Sequence, residues 1–258
     1  MVSPAWQNFF DEIAHWRDAA LPVEFWWRDD DACRLDPALT RLTALASAAG
    51  VPLALAVIPD AARADAFEPT AALVSVLQHG VDHRNRAAAG EKKTEFPATE
   101  LVPDALARLV HGRVRLQRLV GNRAWPVLVP PWNRISAPQL VDHLAGAGYC
   151  GLSTFGPRRT PYAAPGVALV NTHVDIIDWR GSRGFVGEEV ALAHATLHLS
   201  ARRGGQADPT EPTGWLTHHA VHDAAAWVFM ERLLERTGRE NGVRWLGAAE
   251  LFGHHQAR

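Results

Sequence analysis

Three consecutive carboxylates, Asp29, Asp30 and Asp31, close the aromatic run Phe25-Trp26-Trp27-Arg28. Adjacent carboxylates repel and raise one another's pKa unless a cation or hydrogen bonds compensate. Further along, His79 and His83 stand four positions apart, so a single turn of chain brings both rings to one side. Imidazole nitrogen and carboxylate oxygen are both zinc donors, at about 2.0–2.2 Å. Two imidazoles and one carboxylate leave positions open for water and substrate. A cation held there would polarise an amide carbonyl and acidify water. The zinc-protease pattern requires Glu after its first His; here that residue is Gly80, which excludes that reading. In Leu216-Thr217-His218, His218 is a candidate proton donor to a leaving amine, because imidazolium forms near neutral pH. Asp175 or Asp178 would orient it and raise its pKa.

These groups need elements that hold them at one mouth. Val23 to Ala32 reads as a buried strand whose carboxyl end carries the acids. Pro37 to Gly50 reads as a helix, with Asp36 as cap and Gly50 past its end. Strands are expected at Pro52–Ile58, Val74–Leu77, Pro126–Val129, Cys150–Thr154, Val167–Thr172 and Val243–Trp245, with Trp215–Leu216 opening the last site segment. A short helix is expected at Pro69–Leu73, and longer ones at Leu101–Val120, Ser136–Ala147 (Ser136 as cap), Glu188–Ala201 and Ala224–Thr237. Arg84 to Glu100 is a long polar loop. Alternating strands and helices imply a parallel sheet with helices outside. Polar clusters at many strand ends, spread from position 29 to 218, favour a (β/α) barrel over an open doubly wound sheet, which brings few strand ends to one crevice.

The 258 residues carry a formal charge of -2, with 47% hydrophobic and 21% charged residues. This is an ordinary globular composition with no electrostatic case for nucleic acid. Cys33 and Cys150 read as free thiols. Asp11, Glu12, Arg17 and Asp18 near the start are unlike a secretory signal, and no run reads as a membrane span, so the expected location is cytoplasmic. The oligomeric state is open. Residues 4–20 space Trp6, Phe9, Phe10, Ile13 and Trp16 as an amphipathic helix, expected to pack on the single domain formed by residues 1–258.

Asp-Asp, His-x-x-x-His, Pro-Pro-aromatic, Asp-x-x-Asp-Trp and Leu-x-His occur here in that order, from Val23 to His218. In this set the sequence resembles the polysaccharide deacetylase family, the NodB-homology group of carbohydrate esterases. The resemblance implies a distorted (β/α) barrel of about seven strands. It implies a divalent metal, zinc first, with cobalt or manganese accepted by the same ligands. It implies removal of an N-acetyl or O-acetyl group from an N-acetylated sugar or glycan. Residue by residue, it makes Asp29 the general base, Asp30, His79 and His83 the metal ligands, and His218 the general acid. Pro131, Trp132, Asn133 and Arg134 then belong to a groove wall, with Asp175, Asp178, Trp179 and Leu216 in support. Val129 stands where the family has an arginine that pairs with the catalytic acid, and Arg28 or Arg134 is the candidate replacement. Asp31 replaces the glycine that closes the first motif. Hydrolysis of a non-sugar amide, as in allantoinase-like relatives, and a catalytically silent carbohydrate-binding barrel are the alternatives.

Overall fold

The computed structural model describes residues 3–63 and 73–253. Most of the helix expected at Pro69–Leu73 falls outside these residues, as does the tail with His254 and His255.

The described residues form an α/β fold around one ten-stranded, mostly parallel sheet. Its strands are β1 (Val23–Ala32), β2 (Leu53–Val57), β3 (Val74–His79), β4 (Ala124–Val129), β5 (Gly151–Leu152), β6 (Tyr162–Ala164), β7 (Val167–Leu169), β8 (Val174–Asp175), β9 (Thr213–Thr217) and β10 (Val243–Trp245). Their order is β6-β7-β5-β4-β3-β2-β1-β9-β8, with β10 also on β1. Only β6 runs antiparallel, in a hairpin with β7 that the sequence reading did not resolve. The ladder does not close into a full ring. β7 and β8 are two short pieces of one run of chain, the first paired with β5 and the second with β9. Counting that run once gives seven positions, β1 to β5, β7–β8 and β9: a distorted barrel with a seam.

The side-chain alternation of β1 sorts the interior from the outside. Phe25 and Trp27 join an outer core with Leu53, Leu55 and Val57 of β2 and residues of the surrounding helices. Trp26 points the other way, into an inner core with Ala54, Ala56, Leu77, Val127 and Val129. Ala54 and Ala56 leave room for Trp26 inside, and the larger residues of the outer face pack under the helices.

Helix α1 (Pro4–Asp18) buries Trp6, Phe9, Ile13 and Trp16. Phe9 stacks on Phe25 of β1, and Trp6 meets Phe229 of α6 (Ala224–Thr237), so the expected aromatic face is a core face. In α2 (Pro37–Ala49) the Asp36 carboxylate accepts the Leu39 N–H at 2.8 Å, and Gly50 takes φ 66° past the end, the left-handed conformation that glycine adopts at least cost. Helices α3 (Val102–Val120) and α5 (Glu188–Arg203) lie close to where periodicity puts them. The helix expected over Ser136–Ala147 is shorter: α4 spans Pro138–Asp142 and is followed by turns. Ser136 is not its cap, since the N-cap is Ala137 with no side-chain hydrogen bond. Helix α7 (Ala248–Phe252) places Phe252 against Gly151, where a Cβ would lie 2.5 Å from the ring, so only glycine fits under this plug. Cys33 and Cys150 are both unpaired. No helix among the described residues is long and apolar enough to cross a membrane.

Candidate active site

The carboxyl ends of the parallel strands open into a cavity of about 770 Å³. Asp30, Asp31, His79, His83, Trp132, Asn133, Arg134, Asp175, Trp179 and His218 line it, together with Lys93, Phe155, Arg180 and Arg183.

β1 brings the acids to this mouth, but not in the expected order. Counting by twos from Trp26, Arg28 and Asp30 share the inner face, while Asp29 shares the outer face with Trp27. Asp29 is fully buried and lines no part of the cavity. It accepts from Thr217 Oγ1 at 2.6 Å and the His219 N–H at 2.9 Å, and pairs with His219 Nδ1 at 2.5 Å. Burial alone would raise its pKa; the His219 charge and hydrogen bond outweigh burial and lower it. The reciprocal effect raises the His219 pKa against its own burial. Asp29 therefore ties β1 to the end of β9 and is not placed to act as the expected general base.

The pairing of β1 with β2 shifts register between Asp29 and Ala32, and Asp31 there adopts φ 70°. This irregularity breaks the alternation and turns a second consecutive acid toward the mouth. The carboxylate brought up to the two imidazoles is thus Asp31 and not the expected Asp30. Asp31 Oδ1 lies 3.1 Å from His79 Nε2 and 3.2 Å from His83 Nε2. Ligands arranged tetrahedrally at about 2.1 Å from zinc stand roughly 3.4 Å apart. Asp31 Oδ1 is buried with no well-directed hydrogen bond of its own, the condition of an atom waiting for a cation. His79 Nδ1 faces the Val129 carbonyl at 3.1 Å; a carbonyl only accepts, so Nδ1 carries the proton and Nε2 offers its lone pair. The residues present thus fit a divalent cation. Burial works against charge on both partners, yet the imidazoles hold the Asp31 carboxyl well below its usual range, and Asp30 and Asp31 raise His79.

Asp30 faces Arg28. Arg28 Nε and Nη2 donate to its two oxygens at 2.8 and 3.0 Å. The remaining guanidinium N–H groups go to Ser153 Oγ, the Thr154 carbonyl and Asn133 Oδ1 at 2.7, 3.3 and 2.6 Å, so a fully buried arginine spends all its donors. Of the two candidate replacements for the absent arginine at Val129, Arg28 is the one that meets an acid at this mouth. Arg134 instead donates to the Lys93 carbonyl at 2.6 Å.

His218 follows β9 directly across the cavity. Its Nδ1 stands 4.0 Å from Asp175 Oδ1 and has no hydrogen bond. The Trp179 and His218 rings meet edge to face with centroids 4.7 Å apart, and Trp179 Nε1 donates to Asp175 Oδ2 at 2.8 Å. Burial raises the Asp175 pKa, partly offset by His218. Asp178 does not join them: it is a half-buried loop cap for the Gly181 and Ser182 N–H groups. Leu216, in register with Arg28, is buried in β9, and Pro131 is buried beside Gly80. Neither lines the cavity. Trp132 and Asn133 both have left-handed φ, 55° and 53°, which lays the indole 4.6 Å from the His83 ring and aims the amide at Arg28.

The long polar loop holds a residue that the sequence did not single out. Glu95 is fully buried and accepts the N–H groups of Val81, Asp82 and His83 at 2.9, 3.3 and 3.2 Å. It thereby clamps the turn that carries His83. A Cβ at Gly80, φ 56°, would meet Glu95 Oε2 at 2.1 Å, so the close approach needs glycine.

A second cluster, His173, His198 and Glu211, is buried behind the sheet. His173 Nδ1 accepts the Gly214 N–H at 3.0 Å, which puts the proton of the neutral ring on Nε2, facing Glu211 Oε2 at 3.3 Å. That leaves no lone pair there for an ion.

No family model matches the sequence, and no match to a curated protein was found. Solved structures do match. The T48 deacetylase is 14% identical, with 92% of this chain and 94% of that chain covered, at a TM-score of 0.53. A peptidoglycan N-acetylglucosamine deacetylase, Bc1960, is 16% identical over 91% of this chain and 90% of its own, at 0.54. The peptidoglycan deacetylase PdaC from Bacillus subtilis is 12% identical over 89% and 90%, at 0.53. Across nearly its whole length, the chain shares the fold of carbohydrate and peptidoglycan deacetylases.

Proposed function

We propose that this protein is a metal-dependent hydrolase that removes an N-acetyl or O-acetyl group from a carbohydrate. The observation that carries this reading is the buried, unsatisfied Asp31 Oδ1 between two imidazole Nε2 atoms, in a cavity that also holds Asp30 and His218. Asp31, His79 and His83 are the ligands in this reading, with zinc, cobalt or manganese all compatible with the donor set. A divalent cation there supplies Lewis-acid polarisation of the acyl carbonyl and acidification of water.

The chain's own residues do the rest. Asp30 takes a proton from the attacking water, and Arg28, bidentate to it, holds it aimed. His218 donates a proton to the leaving nitrogen or oxygen, with Asp175 set behind its Nδ1 to stabilise the imidazolium. Trp132, Trp179 and Phe155 offer apolar walls for a sugar ring. The silent-barrel reading rested on the missing arginine at Val129, and the Arg28–Asp30 pair removes that motive.

Measurement of bound metal and of acetate released from acetylated sugars tests the proposal. The purified protein is expected to bind about one divalent ion and to lose acetate release on chelation, with recovery on adding zinc or cobalt. No metal binding and no acetate release with either ion would overturn it.

A further inference from the structure

We infer that the acylated sugar accepted by this cavity is anionic, bearing a phosphate or carboxylate group. The inference rests on the hydrolase reading above and deepens it.

Four cationic side chains line the cavity: Lys93 and Arg134 on one side, beyond β3 and β4, and Arg180 and Arg183 on the other, in the loop after β8. None of them makes an ion pair with a carboxylate among the described residues. That sets them apart from Arg41, Arg108, Arg158, Arg203 and Arg232, each paired with an acid at 2.7–2.8 Å. Each acid inside the cavity has a place that does not involve these four cations. Asp30 is held by Arg28, Asp31 is the ligand carboxylate between the two imidazoles in the hydrolase reading, and Asp175 accepts from Trp179 Nε1 and the Ile177 N–H. With Arg28, the four cations outnumber the three carboxylates Asp30, Asp31 and Asp175, a local positive excess in a chain whose formal charge is -2.

A neutral glycan filling the cavity would strip water from these cations and return no counter-charge, which costs free energy. An anionic substituent replaces that water with charge-assisted hydrogen bonds. A single exposed cation contributes little, but several around one cleft focus the field on whatever enters it. The indoles of Trp132 and Trp179 lie among the cations, so ring stacking and charge recognition serve one ligand.

Calorimetric titration of the zinc-loaded protein with N-acetylglucosamine, its 1-phosphate and its uronate tests this. At low salt one or both charged sugars are expected to bind about tenfold tighter or more, an advantage that shrinks as salt screens the rim. Preference for the phosphate names a phosphorylated substrate; preference for the uronate names a carboxylated one. The double substitutions Arg180→Gln/Arg183→Gln and Lys93→Gln/Arg134→Gln, on opposite sides of the cavity, should each erode the advantage. Equal affinity for all three sugars, or an advantage untouched by both double substitutions, overturns the inference. Tight charged-sugar binding without acetate release leaves it standing while the hydrolase reading fails. Acetate release with no charge preference does the reverse.

Discussion

Arg28 and Asp30 stand two residues apart on one strand, joined by parallel hydrogen bonds of 2.8 and 3.0 Å, both side chains buried. Acid and counterion thus come from a single element, β1. Removing one member of a buried pair leaves the other uncompensated. Arg28→Met is expected to cost about 3–5 kcal/mol of folding stability. It should also lower turnover, as Asp30 loses the fork that aims it at the attacking water. Denaturant unfolding and the rate of acetate release check the two effects. Arg28→Lys should rescue only part of each, because an ammonium cannot supply the fork.

Neighbouring acids divide the labour, so their amides should fail differently. Asp31→Asn is expected to lower zinc affinity by more than the roughly 10–100-fold that follows loss of an outer partner. Asp30→Asn should keep the metal and lose turnover by about 10²-fold or more. Equilibrium metal binding measured beside acetate release distinguishes the two, and equal metal loss in both would refute the division.

Glu95 touches no substrate, yet it fastens three successive N–H groups of the turn leading to His83. Glu95→Ala should weaken metal affinity by about 10–100-fold and speed amide exchange at Val81, Asp82 and His83. Gly80→Ala should do the same through the clash at Glu95 Oε2. A variant with unchanged exchange at those amides would show that the turn holds without its clamp.

The Asp29–His219 pair predicts a pH-dependent stability. His219 has a raised pKa in the folded chain, so its contribution is complete below its unfolded value of about 6.5 and fades as pH climbs through the folded one. Asp29 has a lowered pKa, so its contribution is present above about 3.8 and fades as pH drops through the folded value. The stability gap between the native chain and His219→Gln is therefore expected to be widest near pH 6, about 3 kcal/mol, and smaller in alkaline solution. Urea unfolding at both pH values measures it, and a gap that grows with alkalinity would contradict the pairing.

Much of this arrangement is legible in the sequence where the chain follows a simple period. The strand–helix alternation and the Asp36 and Gly50 caps are of that kind, whereas the histidines at 79, 83 and 218 that line the cavity are legible only as parts of the motif set. Period two, counted from Trp26, would also have put Asp29 behind the sheet and Asp30 in front. The register break at Asp31 is a backbone event with no residue signature, since aspartate at φ 70° looks like any other aspartate in a string. Glu95 was hidden for a different reason. A glutamate in a charged loop reads as solvated, and only the folded chain shows its carboxylate roofed over and facing a row of amides. The four rim cations come from three separate loops, and nothing in their spacing announces a common destination.

The seam between β7 and β8 has a mechanical consequence for Arg28 and Asp30. Barrel wall that breathes there changes the width of the mouth, but the distance between these two side chains is fixed by the pleat of one strand. The loops beyond the seam can drift in sequence to admit bulkier ligands, and the spacing of this acid from its arginine does not follow them.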